Sequence, residues 1–213
     1  ILFFLLCKSA VFSQNPVNQA QNIILNNNWF VQQSSKINLT GAEISGRSIN
    51  KSGWFATKVP ATIMGALTAN GLYKNAFYAD EFKLIDKKQF DESWWYCTQF
   101  ELPLVSKNQH ITLNLDGINY YANIWLNGKL IASRDSVFGT FRRFEFEITK
   151  YVKQANNILA VEIFKAQPGD FNLGFVDWNP RPPDENMGIW RGVYLKISGD
   201  VSLKNTYVES KVN

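Results

Sequence analysis

Apolar and polar positions alternate in short runs, most sharply after Ser93. Ile111–Leu115 sets Ile, Leu and Leu against Thr and Asn, which sends one face of a strand inward and the other outward. Phe144-Glu145-Phe146-Glu147-Ile148 alternates without a break. Trp94–Leu102, Tyr121–Leu126, Ile158–Phe164, Trp190–Ile197 and Val201–Val208 are predicted as further strands, with Trp29–Gln33 and Trp54–Val59 ahead of them. Asn127-Gly128 predicts a hairpin joining Tyr121–Leu126 to Lys129–Ala132, because both turn positions call for positive φ. One stretch reads as a helix: Ile63–Ala69, opened by Pro60-Ala61-Thr62 and closed by Asn70-Gly71. Residues 34–53, rich in Ser, Gly, Lys and Asn, read as strand and turn. The pattern predicts an all-β chain: a β-sandwich of jelly-roll type with one short helix.

Four segments follow. Residues 1–13, an apolar run ending in small residues, have the form of a signal-peptide remnant cleaved before Gln14, so the chain is expected to be exported, to the periplasm or outside the cell. Residues 14–27 read as a polar leader, 28–200 as the sandwich, and 201–213 as a strand leading toward a following domain. The first run is too short to span a bilayer, and no membrane partner is expected after its removal. Its Cys7 lacks the small neighbours of a lipid-attachment site.

Composition narrows the chemistry. Aromatic residues make up 15% of the chain, which suits a pleated sheet and also a carbohydrate partner, although most such rings are core. The net charge of +4 is spread along the chain with no basic stripe, so nucleic acid is not an expected partner. After processing one cysteine, Cys97, remains, and its place in a strand-like run suits a small core residue. With His110 the one histidine, a Ser-His-Asp or Cys-His site has little to draw on. No metal-ligand cluster or nucleotide fingerprint is present, and no cofactor is expected. Trp94 and Trp95 point to opposite faces of one strand.

One long segment, 166–187, breaks the strand pattern with Pro168, Pro180, Pro182 and Pro183. Loops of that length in compact domains are functional or disordered, and Phe171, Phe175 and Trp178 argue for order. Within it, Asp177 beside Trp178 has the composition of a sugar subsite: a carboxylate for hydroxyls and a flat apolar platform. The same two residues also fit a loop clasped by its own indole with an aspartate capping a turn. The acidic pairs Asp91-Glu92 and Asp184-Glu185 read as solvated loop charges.

Three stretches carry a resemblance. They are Trp94-Trp95-Tyr96 with Phe100 and Leu102-Pro103, the run Leu115-Asp116-Gly117-Ile118-Asn119-Tyr120 to Ile124-Trp125-Leu126-Asn127-Gly128-Lys129, and the run from Asp177 to Val193. Together they resemble the N-terminal galactose-binding-like domain of glycoside hydrolase family 2, in its exo-β-glucosaminidase and β-mannosidase branch. The resemblance implies a non-catalytic domain that supports hydrolysis of O-glycosidic bonds by a barrel domain absent here. It implies that Asp177 and Trp178 reach into that barrel's pocket and contact a terminal β-linked hexose or hexosamine. Asn75–Asp80 matches, more loosely, a loop near the same pocket.

In that family both catalytic carboxylates are glutamates of a barrel, the acid/base one preceded by Asn. No Asn-Glu dipeptide occurs here, and a barrel needs about 250 residues of alternating strand and helix. The chain is therefore not expected to be an enzyme on its own. Two other functions fit a sandwich equally: a freestanding carbohydrate-binding module and a discoidin-like adhesion module.

Overall fold

The computed structural model describes residues 20–76, 78, 81–105, 108–172, 181–204 and 206–211. Two antiparallel sheets face each other. The first, of four strands, runs in the order β1 (Gln21–Ile24), β13 (Val193–Ser198), β6 (His110–Leu115), β10 (Phe144–Glu147). The second has six, in the order β3 (Phe55–Thr57), β2 (Trp29–Gln33), β5 (Trp94–Phe100), β11 (Asn157–Phe164), β8 (Tyr121–Leu126), β9 (Lys129–Ala132). Alternation decides what lies between them. Ile111, Leu113 and Leu115 of β6 and Val193, Leu195 and Ile197 of β13 meet Trp29, Val31, Trp94, Tyr96, Leu159, Val161, Ile163 and Ile124 in one buried cluster. The sandwich is as the alternation predicts.

The six-stranded sheet is buried on its outer face as well, where Trp95, Cys97, Ile158 and Ala160 pack under Ile44. This explains why β5 and β11 read as nearly continuous apolar runs rather than alternating ones. Ile44 belongs to a helix, α1 (Gly41–Gly46), in the stretch expected to be strand and turn. A capping box starts α1: the Thr40 hydroxyl accepts from the Glu43 amide while the Glu43 carboxylate accepts from the Thr40 amide. Ser45 then pins α1 to the β8–β9 hairpin by accepting a 3.0 Å hydrogen bond from the Gly128 amide. That turn has the positive φ expected of it, 51° at Asn127 and 83° at Gly128.

The predicted helix forms as α2 (Ile63–Ala69), with Thr62 as its N-cap, and buries Ile63, Met64, Ala66 and Leu67 in the main cluster. Two differences lie at the ends. Strand β1 forms inside the stretch read as a polar leader, pairing with β13 from Gln21↔Ile197 to Ile24↔Tyr194. Val201–Val208, expected as a strand, contains none in its described residues, and Val201, Leu203, Tyr207 and Val208 are exposed. Both ladder positions beside β13 are already taken, by β1 and β6, so a following strand has no place there. Residues 1–19 lie outside the described residues, including the expected signal remnant and Cys7. Among the described residues no helix is long and apolar enough to cross a membrane.

Candidate functional site: the base of the 166–187 loop

A third, small sheet runs in the order β4 (Ala61–Thr62), β12 (Gly188–Ile189), β7 (Ile118–Asn119). Strand β12 is where the long loop returns. Its neighbours supply a dense set of buried polar contacts, and these fix the loop's C-terminal footing.

Asp184 is central to that footing. Its sequence context predicts a solvated loop charge, but its side chain is buried, with 1% of the residue exposed, because its oxygens take up backbone amides. One oxygen accepts from the Met64 amide at 2.8 Å and the other from the Asn186 amide at 3.0 Å. The amides of the first helical turn of α2 are thereby satisfied in order: Ile63 by the Met187 carbonyl, Met64 by Asp184, Gly65 by the Thr62 hydroxyl. Burial pushes the Asp184 carboxyl above the usual aspartate range, against the lowering effect of those hydrogen bonds. Asn119, fully buried, donates at 3.0 Å to the carbonyls of both Glu185 and Asn186 and accepts at 2.6 Å from the Thr140 hydroxyl. Glu185 and Asn186 sit at φ of 50° and 60°. The clamp holds two successive left-handed residues in place.

The N-terminal footing is held by the same segment of chain. Tyr121, two residues after Asn119, donates to an Asp170 oxygen at 3.0 Å, and the other Asp170 oxygen accepts from the Gln167 amide at 2.6 Å. Desolvation and then the Asp170 carboxylate push the Tyr121 phenol up. Asp177 and Trp178, the two residues expected to contact sugar, lie outside the described residues, as do Phe77, Ala79 and Asp80 of the looser match. The loop's feet are therefore built from Asn119, Thr140, Tyr121, Asp170 and Asp184. Periodicity could not single these out, although Asn119 and Tyr121 stand inside the second of the three resembling stretches and Asp184 inside the third.

The remaining candidates are structural. Trp94 and Trp95 are both buried, one on each face of β5. Asp91 is hydrogen-bonded to Lys165, and Glu92 accepts from the Ser35 amide. His110 stands exposed on β6, with Glu147 at 3.9 Å and Asp200 at 4.0 Å. Among the described residues no cluster of His, Cys, Asp and Glu is arranged to hold a metal ion. Cys97 is buried, and desolvation pushes its thiol up to about 11. A thiol so placed is inert. Native protein is expected to leave Cys97 unmodified by a maleimide at neutral pH, with labelling appearing only on denaturation; rapid native labelling at Cys97 would contradict the burial.

Comparison with known proteins gives a consistent answer. The family described as glycosyl hydrolase 2 galactose-binding domain-like matches residues 29–171. An exo-β-D-glucosaminidase of Arthroderma benhamiae is 35% identical over 184 residues, covering 84% of this chain and 21% of that protein. A mannosylglycoprotein endo-β-mannosidase of Lilium longiflorum is 30% identical over 216 residues, covering 88% of this chain and 22% of its own. The crystal structure of the Amycolatopsis orientalis exo-chitosanase CsxA superposes with a TM-score of 0.82 at 29% identity, covering 91% of this chain and 22% of that one. The chain thus spans about a fifth of the length of the curated relatives it matches.

Proposed function

Because the chain belongs to the family of glycosyl hydrolase 2 galactose-binding-like domains, we propose that it serves as the non-catalytic N-terminal domain of an exo-β-glucosaminidase- or β-mannosidase-like enzyme. Hydrolysis is the work of a barrel domain outside this chain. The domain shapes the rim of that active site through the 166–187 loop, with Asp177 accepting hydroxyl hydrogen bonds from a terminal β-linked hexose or hexosamine and Trp178 offering an apolar face. The apolar run at 1–13 supports export.

The observation that carries this reading is the double anchoring of the loop. Its two feet are tied to Asn119 and Tyr121, two residues apart in the chain at the end of β7 and the start of β8. A loop whose ends are held this tightly can present side chains in a fixed geometry, which recognition of a hydroxyl pattern requires.

The test is a pair of substitutions in the full-length enzyme. Asp177→Ala removes a charge-assisted hydrogen bond of roughly 1.5–3 kcal/mol, so kcat/KM for an aryl β-glycoside is expected to fall about ten- to a hundredfold. Because the partner lost on this reading is the sugar and not another part of the domain, the melting temperature should barely move, by no more than about 0.5 kcal/mol of stability. Trp178→Ala is expected to lower both. A normal kcat/KM with a sharply lower melting point for Asp177→Ala would make this aspartate a loop cap and remove it from the sugar site.

A further inference from the structure

Beside the loop's feet lies an exposed aromatic cluster that neither the core nor the sugar contact uses. Phe141 is 57% exposed and Phe171 80%, yet their rings lie 6.0 Å apart, and Phe141 meets Trp190 edge-on at 5.8 Å. Phe138, 39% exposed, belongs to the same turn. The cluster is held in place without being covered. The Trp190 indole donates to the Thr140 carbonyl at 3.0 Å, and Arg142 donates to the Phe138 carbonyl at 3.1 Å. The Arg142 guanidinium lies over Phe138 at 4.9 Å and that of Arg191 over Trp190 at 4.5 Å.

Three features bear on what covers it. Exposed aromatic rings interleaved with arginines are the composition of a protein interface and its energetic centre. The rings offer no flat platform, for Phe141 stands at 87° to Trp190 and 53° to Phe171, which favours interlocking side chains over a stacked pyranose. The charge is positive: Arg142 and Arg191 have no carboxylate within ion-pair distance among the described residues, Asp116 faces Arg143 at 3.9 Å, and Asp170 is engaged by Tyr121 and Gln167. The other broad faces differ. The outer side of the six-stranded sheet is covered by α1, and that of the four-stranded sheet carries Thr112, Glu145, Glu147 and Lys196.

We propose that the turn 138–142, Phe171 and Trp190-Arg191 form the surface by which this domain docks on the catalytic domain of its own polypeptide, against an acidic face of it. The inference rests on the reading of the chain as one domain of a longer hydrolase. Its occupant follows from the positive charge of the patch and from relatives in which the matched region is only 21% and 18% of the protein.

Hydrogen exchange on the 213-residue chain and on the full-length enzyme tests it. Amides 138–142 are expected to exchange at least about tenfold more slowly in the full-length protein. Phe141→Glu or Arg191→Glu there should abolish that protection and lower the melting temperature by several degrees. In the 213-residue chain either change should move it by less than about 1 °C, because the side chains lie outside the core. Equal exchange in both proteins would overturn the proposal. So would a Phe141→Glu enzyme that keeps its protection but shows a raised KM for oligosaccharides alone, which would make the cluster a sugar platform. A concentration-dependent dimer of the short chain that Phe141→Glu dissociates, with the patch unprotected in the full-length enzyme, would likewise sink it in favour of a second copy. The kcat/KM of Asp177→Ala reports on the rim separately, so the two readings fail independently.

Discussion

Gly188→Ala is expected to unfold the base of the loop and to destabilise the domain by about 3 kcal/mol or more, combining backbone strain with overpacking. Gly188 sits at φ 151°, in a region L-residues rarely adopt. An added Cβ would come within 2.6 Å of the Tyr96 hydroxyl, 2.7 Å of the Ala61 carbonyl oxygen and 2.7 Å of the Thr62 Cα. Two of those three are backbone atoms of β4, the strand that pairs with β12 from Gly188↔Thr62 to Ile189↔Ala61, so they cannot retreat without breaking the ladder. The Tyr96 hydroxyl is itself committed, donating to the Ala61 carbonyl at 2.8 Å. With a urea slope of about 1–3 kcal/mol/M for a domain of this size, the midpoint should drop by 1 M or more. Tyr96→Phe in the same background relieves one clash of three and is not expected to restore the midpoint. A Gly188→Ala protein unfolding within about 0.5 kcal/mol of the parent would mean that the close approach of β12 to β4 and Tyr96 is wrong.

The sandwich was legible because its signals are local. Trp29–Gln33, Tyr121–Leu126 and Lys129–Ala132 form with the bounds their alternation and the Asn127-Gly128 turn predict, and Ile63–Ala69 is the helix its flanking Thr62 and Asn70 announce. What escaped is tertiary. Gln21–Ile24 is half polar and reads as leader, yet an edge strand needs only backbone groups to pair with β13. Helix α1 is six residues long with Gly at both ends, and only the Thr40–Glu43 spacing betrays it. Val201–Val208 alternates well enough for a strand but finds β13 already flanked. At the site, the resemblance singled out Asp177 and Trp178, whereas the residues that hold the loop's feet come from partners far apart in sequence. Asn119 reaches Glu185 across 66 positions and Asp184 reaches Met64 across 120. No window of periodicity spans such distances.

Asp184 shows the consequence most directly, because an acid placed beside Glu185 looks like any solvated pair until its partners are known. Asp184→Ala would leave the buried Met64 amide without an acceptor, at about 1–3 kcal/mol, and would strip the half-buried Asn186 amide of its partner as well, so a loss of roughly 2–4 kcal/mol is expected. Asp184→Asn keeps one acceptor oxygen and turns an amide NH2 toward the other donor, so it should rescue only part of that loss. The pH dependence separates burial from simple capping. Burial holds the folded carboxyl above its unfolded value, so the native state binds this proton more tightly than the unfolded chain does. The contribution is then complete below the ordinary aspartate pKa and is lost as pH rises through the raised one. Measured against Asp184→Asn, which has no proton to lose, the parent's stability advantage should shrink as pH rises above the ordinary aspartate value of about 4. An advantage that grew with pH there would mean that the hydrogen bonds from Met64 and Asn186 outweigh desolvation, and that Asp184 caps α2 as a fully charged carboxylate.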